Sequence, residues 1–196
     1  MNHQRFASIK SIATIMLICA ASAEAEQFTP LIPLPAPNIV ESANPYPDPN
    51  FRVARLIDGD PKTEYSSDSK GTDTFVEFRF AAPVNVGAFQ HIDRNDPATI
   101  TASELVFMDD AGNAVTSVFV THANRPAGQT VMMLPASVTA QRVKWRVAQL
   151  GPQNYSTVGG AEITFYTAGP SEAAPLQDTV EIKQLPILDN SSSGAV

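Results

Sequence analysis

The residues best suited to chemistry form a short acidic loop, Asp58-Gly59-Asp60-Pro61-Lys62-Thr63. Calcium takes about six to eight oxygen ligands, drawn from carboxylates, carbonyls and hydroxyls, and this loop carries all three kinds. Its glycine permits the backbone angles that turn several carbonyls inward. The acidic spacing and late glutamate of an EF-hand are missing. Taken alone, the hexapeptide favours an ordinary Asp-Gly turn, with a calcium loop as the alternative.

The rest of the chain offers little for catalysis. His91 and His122 lie in separate segments, and the sequence contains neither Gly-x-Ser-x-Gly nor His-Glu-x-x-His. The adjacent carboxylates Asp109 and Asp110 are of the type that a glycosidase pairs. However, neighbouring residues of a hairpin point in different directions, so a turn explains them better. We therefore expect no enzymatic activity.

The charge balance excludes two classes of partner. The chain has 13 Lys and Arg against 20 Asp and Glu, a formal net charge of −7. Its cations are scattered along the sequence without a basic cluster. Nucleic acids and anionic membrane surfaces are therefore poor partners.

The first 25 residues have the order of a secretory signal peptide. Arg5 and Lys10 precede an apolar run over residues 12–21, and small residues at alternate positions follow up to Ala25. The run is too short for a bilayer, which needs about 20 apolar residues. We expect cleavage after Ala25, secretion to the extracellular space or periplasm, and no transmembrane segment in the mature chain.

Removal of that segment leaves the protein without a thiol. Cys19 is the one cysteine of the chain, and it lies inside the predicted signal peptide. Disulfides and thiolate metal sites are therefore excluded. An exported domain of this kind needs a large core or a metal ion for its stability.

The elements that must position these groups are strands. In residues 142–147, Val143, Trp145 and Val147 alternate with three cations, and residues 75–80 alternate similarly. Other strands are predicted at 84–92, 104–108, 114–120, 130–134 and 161–166, with a hairpin turn at 109–113 and one helical turn within 51–56. About seven or eight short strands separated by turns predict a β-sandwich or jelly roll.

Residues 54–65, ARLIDGDPKTEY, resemble the signature near the start of discoidin-like domains. These are also called coagulation factor V/VIII type C domains, and they overlap carbohydrate-binding module family 32. Residues 75–83 resemble the next strand, 94–96 its following Arg-x-Asp, 105–112 the strand and Asp-Gly hairpin, and 160–166 the closing strand. Together these segments, in the family's order, identify the chain as similar to this family.

The resemblance implies an all-β fold, a jelly-roll β-sandwich of the galactose-binding-domain type, over residues 38–168. Residues 26–37 form a proline-rich lead, which fits a linker or a sandwich edge. Residues 169–196 form a linker or tail, in which 179–187 fit one extra strand. Tyr65 stands where the family usually has tryptophan, and it fills that half-buried position if its hydroxyl finds a partner.

In this family the first loop and the last strand meet at one structural metal ion, usually calcium. The resemblance implies ligands from the carbonyl of Arg55, the Asp58 carboxylate, Asp60, Thr63 through carbonyl and hydroxyl, the Ala161 carbonyl and the Glu162 carboxylate. All are hard oxygen donors. Such an ion would join residues far apart in the chain and stabilise the fold much as a crosslink does.

Sugar-binding members of the family use loops at one end of the sandwich. An aromatic ring stacks on the sugar, and polar side chains bind its hydroxyls. The candidates here are Tyr46, His91, Arg94, Asp96, Asn124, Arg125 and Tyr155, of which His91 and Arg94 are the strongest because they flank a strand end. Each also has an ordinary explanation: His91 as an exposed strand residue, Arg94 and Asp96 as an ion pair that braces a loop, and the tyrosines as edge packing.

Two functions follow from this pattern. The first is an exported, non-catalytic module that binds a glycan or cell-envelope polysaccharide through loops at one end of a calcium-stabilised β-sandwich. The alternative is a structural accessory domain that binds a protein partner of an exported assembly and no sugar. Trp145 supports the alternative, because its place on the inward face of a strand leaves no tryptophan for the loops.

Overall fold

The computed structural model describes residues 31–168, which form nine strands. They are β1 (Leu31–Pro33), β2 (Asn38–Ser42), β3 (Tyr65–Ser66), β4 (Phe75–Ile92), β5 (Ile100–Met108), β6 (Ala114–Thr121), β7 (Gln129–Leu150), β8 (Gly159–Gly160) and β9 (Glu162–Ala168). Three short 3-10 helices lie at Pro49–Phe51, Val53–Ile57 and Gly71–Asp73. The predicted signal peptide, the start of the lead, and the tail with its extra strand lie outside the described residues.

All strand pairs are antiparallel, and the main sheet has the order β1-β9-β4-β7-β5-β6, with β2 also paired to β4. The first half of β4 pairs with β2, and its second half pairs with β9. A register shift between Arg79 and Val84 interrupts the β4–β7 ladder, where the two long strands pass from one layer of the sandwich to the other. The all-β sandwich prediction is confirmed.

Four of the predicted strands are joined in pairs. Residues 75–80 and 84–92 both belong to β4, while 130–134 and 142–147 both belong to β7. Pro83 and Pro135 lie inside these long strands instead of ending them. A proline removes one ladder hydrogen bond, and Pro83 lies where the β4–β7 ladder is already interrupted.

The core lies between the layers, as the alternating patterns predict. Trp145, Phe78, Phe89 and Phe107 are among its largest fully buried side chains. Each fully buried apolar side chain of this size stabilises the fold by about 1.5–3 kcal/mol. The short helix Val53–Ile57 packs onto this core through Leu56, which is fully buried.

The cations of β7 face outward, as predicted, and are paired. Glu77 lies 2.5 Å from Arg142 and 3.4 Å from Lys144, and Glu104 accepts a hydrogen bond from Arg146. These ion pairs cover the outer face of the layer that contains β5 and the second half of β7. The positive charges on this outer face are therefore balanced by neighbouring carboxylates.

Two local predictions are confirmed. The hairpin turn is closed by Asn113, whose backbone N–H donates to Asp109 Oδ1 at 2.8 Å, while Gly112 takes a positive φ of 87°. The Tyr65 hydroxyl is buried and donates to the Ala43 carbonyl at 3.0 Å, the partner that this position required.

The proline-rich lead contributes an edge strand. Leu31–Pro33 pairs with the end of β9, in the register Leu31↔Ala168. This is one of the two roles that the proline pattern left open. The described residues contain no helix long and apolar enough to cross a membrane.

Candidate functional site

Three loops meet at one end of the sandwich: residues 93–99, 122–128 and 151–158. Hydrogen bonds join them, from Asp93 N to the Gly128 carbonyl at 2.9 Å and from Gly151 N to the Thr99 carbonyl at 2.8 Å. The Thr99 hydroxyl also donates to Asn124 Oδ1 at 3.0 Å. The loops therefore form one connected surface, which we call the loop end.

Asp93 is buried beneath the loop end and holds the 93–99 loop in place. Its Oδ1 accepts from the backbone N–H of Arg94 at 2.8 Å, and its Oδ2 accepts from that of Ile100 at 3.1 Å. Burial raises the pKa of Asp93 to about 7, although these hydrogen bonds oppose the change. The carboxyl thus holds the two ends of the 93–99 loop together.

Arg94 is a brace inside the loop end, which is the ordinary explanation that the sequence offered for it beside ligand binding. Its side chain is only 7% exposed. It pairs with Glu64 at 3.2 Å, donates to the Thr157 carbonyl at 2.7 Å and lies 5.4 Å from the centre of the Phe51 ring. These partners come from separate parts of the chain, so the guanidinium holds several loops in position.

His91 is also a core residue, which corrects its assignment as a ligand-binding side chain. It is fully buried, its Nε2 donates to the Gly159 carbonyl at 3.2 Å, and its ring stacks on Trp145 at 5.4 Å. The His122 ring lies 4.7 Å away and contacts Ser103 at 2.8 Å. The strand register turns His91 inward beside Phe89, so no ligand reaches its imidazole.

Within residues 31–168, neither imidazole has an acidic partner. Burial, with the neighbouring His122, holds the pKa of His91 well below its ordinary value. Burial lowers the pKa of His122 to about 4. Both rings are therefore neutral at neutral pH, and the described part of the chain offers neither Nδ1 a hydrogen-bond partner.

The other candidates are exposed, and two of them share a pocket. Asp96 and Tyr155 line a concave space of about 410 Å³, together with Pro97, Ala98, Ser156 and Thr157. Tyr155 is 51% exposed. Asp96 Oδ1 accepts from Ala98 N at 2.8 Å, and its Oδ2 lies 3.8 Å from Arg94. We call this space the first pocket.

Asn124 and Arg125 lie on the neighbouring loop of the same end. Both are exposed, and Asn124 has a positive φ of 46°. Tyr46 lies by the Phe51 ring, edge to face at 5.8 Å, and is 43% exposed. Since Phe51 lies under Arg94, Tyr46 belongs to the border of the loop end.

A second concave space, of about 270 Å³, adjoins the first. Its lining residues are Asn50, Phe51, Arg55, Lys62, Thr63 and Glu64. Arg94 contacts the lining of both spaces, through Glu64 and Phe51 in one and through Thr157 in the other. We call it the second pocket.

The acidic loop and the last strand come together as the resemblance implied. Glu162 Oε2 accepts from Gly59 N at 2.9 Å, although the two residues are 103 positions apart. Within the loop, Asp58 accepts from the Thr63 hydroxyl at 2.8 Å and from Asp60 N at 3.0 Å. Arg55 pairs with Asp58 at 3.2 Å, and Ala161 N donates to the Ile92 carbonyl at 2.8 Å.

The charges of this region fit a hard cation. Burial raises the pKa of Glu162 to about 7, and the negative charges of Asp58 and Asp60 add to the effect against the hydrogen bond from Gly59. A divalent cation would remove that repulsion. Within residues 31–168 no three acidic or histidine side chains gather closely enough to hold a metal alone. Backbone carbonyls and the Thr63 hydroxyl must therefore complete any calcium site here.

Sequence reasoning missed the residues that position the loop end. Glu64, Asp93 and Thr157 make contacts that depend on the tertiary fold, and Thr157 acts through its carbonyl, which leaves no side-chain pattern. The one available signal was Arg94 itself, since a buried arginine requires acceptors around it.

Comparisons with known proteins agree with this architecture. No protein-family model matches the chain, and no curated protein matches it in sequence. Among solved structures, it is similar to chitosan-binding module 1 from a chitosanase/glucanase of Paenibacillus sp. IK-5, with a TM-score of 0.53 and 16% identity, over 67% of this chain and 95% of that one.

Two further structures have the same fold. The lectin domain of lectinolysin, complexed with Lewis B antigen, matches with a TM-score of 0.52 and 14% identity, over 68% of this chain and 94% of that one. The family 32 module of C. perfringens NanJ, in complex with galactose, matches with a TM-score of 0.50 and 15% identity, over 64% and 90%. The chain thus has the galactose-binding-like β-sandwich fold of discoidin-like and family 32 modules.

Proposed function

We propose that this chain, which has the fold of the family 32 carbohydrate-binding modules, is an exported, non-catalytic glycan-binding module. The observation that carries the proposal is the first pocket. There an exposed aromatic ring, Tyr155, and a carboxylate, Asp96, line a space whose volume of about 410 Å³ suits a small ligand. The ring supplies an apolar face for a sugar, and the carboxylate accepts hydrogen bonds from its hydroxyls.

The rigid surroundings support binding over catalysis. Arg94 and Asp93 are buried and hold the loops in position, and the paired imidazoles are enclosed in the core. The first pocket therefore has a polar group that orients a ligand but no adjacent acid–base pair in its lining. The solved structures of this fold include modules that bind chitosan, galactose and Lewis b.

The experiment is a glycan-array screen of the purified protein in calcium buffer, followed by titration of the best sugar against two variants. Tyr155→Ala removes the aromatic face, and we expect about a fivefold or greater loss of affinity, since stacking on an aromatic ring is worth about 1–3 kcal/mol. Phe119→Ala is the matched control, because Phe119 is also an exposed aromatic residue (65%) but lies on β6.

The variants separate the outcomes. Loss of binding in Tyr155→Ala with an unchanged melting temperature supports the site. Equal binding by the parent and Tyr155→Ala contradicts it. If a folded, calcium-loaded parent retains no glycan and co-purifies with one stoichiometric protein, the accessory-domain alternative replaces the proposal.

Calcium is part of the proposal as a structural ion. Asp58, Asp60, Thr63 and Glu162 would hold it, with carbonyls of Arg55 and Ala161, and the ion would neutralise the carboxylates where the acidic loop meets β9. At a calcium concentration of about a hundred times its Kd, it would stabilise the fold by about 2.7 kcal/mol, or about 5–10 °C in melting temperature.

The calcium test compares melting in EDTA and in millimolar calcium. We expect the difference to disappear in Glu162→Gln, which keeps an acceptor for Gly59 N but removes the charge. An equal melting temperature of the parent in EDTA and calcium would remove the ion from the proposal. Export is tested separately, by determining whether the protein secreted by the producing cells begins at Glu26.

A further inference from the structure

The second pocket adjoins the first through one side chain. The Arg94 guanidinium lies over Phe51 at 5.4 Å and pairs with Glu64 at 3.2 Å, and both residues line the second pocket. The same guanidinium lies 3.8 Å from Asp96, in the first pocket. The two pockets therefore lie close enough together for one ligand longer than a single sugar to contact both.

Among the side chains that line the second pocket, two are cations, Arg55 and Lys62, and one is a carboxylate, Glu64. Its carboxylate, Glu64, is already engaged by Arg94 and by Asn95 N at 2.6 Å. Its Arg55 is paired with Asp58 at 3.2 Å. Lys62 is exposed, and in the described part of the chain its ammonium has no ion-pair partner.

The first pocket has the opposite character. No cationic side chain is among its lining residues, and the Asp96 carboxylate is 42% exposed. A negatively charged group at Tyr155 would therefore meet like charge, while the same group near Lys62 would meet an unpaired ammonium. The two pockets thus accept different chemical groups along one ligand.

We propose that the second pocket is a subsite for a sugar with an anionic substituent, and that the ligand is an oligosaccharide of at least two units. This inference rests on the proposed glycan-binding function. The sugar at Tyr155 is neutral, and its neighbour presents a carboxylate or a sulfate to Lys62. The Asn50 amide lines the same pocket and supplies a further hydrogen bond.

The experiment is calorimetric titration, in calcium buffer, with four probes: one neutral monosaccharide, a neutral oligosaccharide, a uronate-containing oligosaccharide and a sulfated oligosaccharide of matched length. We expect one of the anionic chains to bind about tenfold more tightly than the neutral chain, because hydrogen bonds to charged groups are strong. Which one binds identifies the substituent as carboxylate or sulfate. The preference falls as salt rises, since the pocket is open to solvent.

Lys62→Gln is the test variant, and Arg79→Gln the matched control. Arg79 is also an exposed cation, but it pairs with Asp110 beside the hairpin, at the far end of β5 from the loop end. We expect Lys62→Gln to lose the roughly tenfold anionic preference with unchanged binding of the neutral chain. Arg79→Gln keeps the preference.

Three results overturn the inference. The first is that the neutral monosaccharide binds as tightly as every oligosaccharide. The second is that the parent shows no preference for an anionic oligosaccharide, and the third is that Lys62→Gln retains that preference. In each case sugar binding itself stands, so the proposed function survives. Binding of no sugar at all contradicts both.

Discussion

The buried histidine pair makes the stability of this domain sensitive to acid in a way that one substitution isolates. Burial lowers the pKa of His122 from 6.5 to about 4. The contribution of this neutral ring is therefore full above pH 6.5 and is lost as pH falls towards 4, because the unfolded chain takes up the proton first. At 1.36 kcal/mol per pKa unit, the loss is about 3 kcal/mol. His91 changes stability in the same direction.

Two carboxyls act against the histidines. Burial raises the pKa of both Asp93 and Glu162 to about 7. Because the folded state of such an acid binds its proton before the unfolded chain does, its contribution to stability increases as pH falls below 7. The pH profile of the parent therefore combines opposing contributions, and only a comparison of variants shows the histidine effect.

His122→Gln provides that comparison, since glutamine does not titrate and can still reach the Ser103 hydroxyl, which lies 2.8 Å from His122 Nε2. Urea unfolding of both proteins from pH 7.5 to 4 is followed by fluorescence of Trp145, the one tryptophan and fully buried. We expect the variant to gain about 3 kcal/mol relative to the parent across this range. Parallel profiles would contradict the lowered pKa of His122, as would a His122 resonance that titrates near 6.5.

Three other substitutions test the packing, each by urea unfolding at pH 7. Tyr65→Phe leaves the buried Ala43 carbonyl without its donor and should cost about 1–3 kcal/mol; an unchanged stability would mean that water replaces the hydroxyl. Gly159→Ala places a Cβ 2.1 Å from the Tyr65 carbonyl oxygen, so a loss of about 3 kcal/mol or more is expected, and a neutral effect would contradict the close β3–β8 pairing. Asp93→Asn turns an amide N–H towards a backbone N–H, and the free energy of unfolding should fall by about 1–3 kcal/mol. A rise would show that the buried carboxyl destabilises the fold.

The fold could be predicted from the sequence because local patterns carry it. Val143, Trp145 and Val147 alternate with cations. In the structure these three side chains are buried, and the cations form ion pairs with carboxylates. The continuous course of β4 could not be predicted in the same way. Pro83 breaks the pattern, and only pairing with β7 on both sides of the register shift keeps the strand together.

His91 shows where strand alternation fails. In residues 84–92 the even positions are the more apolar, which places the odd-numbered His91 on the outer face. The structure buries Val86, Ala88, Phe89 and His91 alike, because this part of β4 is covered on both sides. When neither face of a strand contacts solvent, alternation of apolar and polar residues cannot show which side chains are buried.

For Arg94 the sequence left two roles open, ligand binding and bracing of a loop, for a different reason. Sequence identifies a charged residue after a strand, yet whether it is free for a ligand depends on Glu64 and the Thr157 carbonyl, 30 and 63 positions away. Asp96 and Tyr155, chosen on the same grounds, do line one pocket. Long-range contacts therefore decide which residues of a loop are supports and which remain exposed.

The most direct measurement is retention of the purified, calcium-loaded protein on a broad glycan array, with Tyr155→Ala measured alongside it. If the first pocket binds a glycan, the array retains the parent selectively and does not retain the variant. A folded parent that binds no glycan, or a variant that binds like the parent, would contradict glycan recognition at the first pocket.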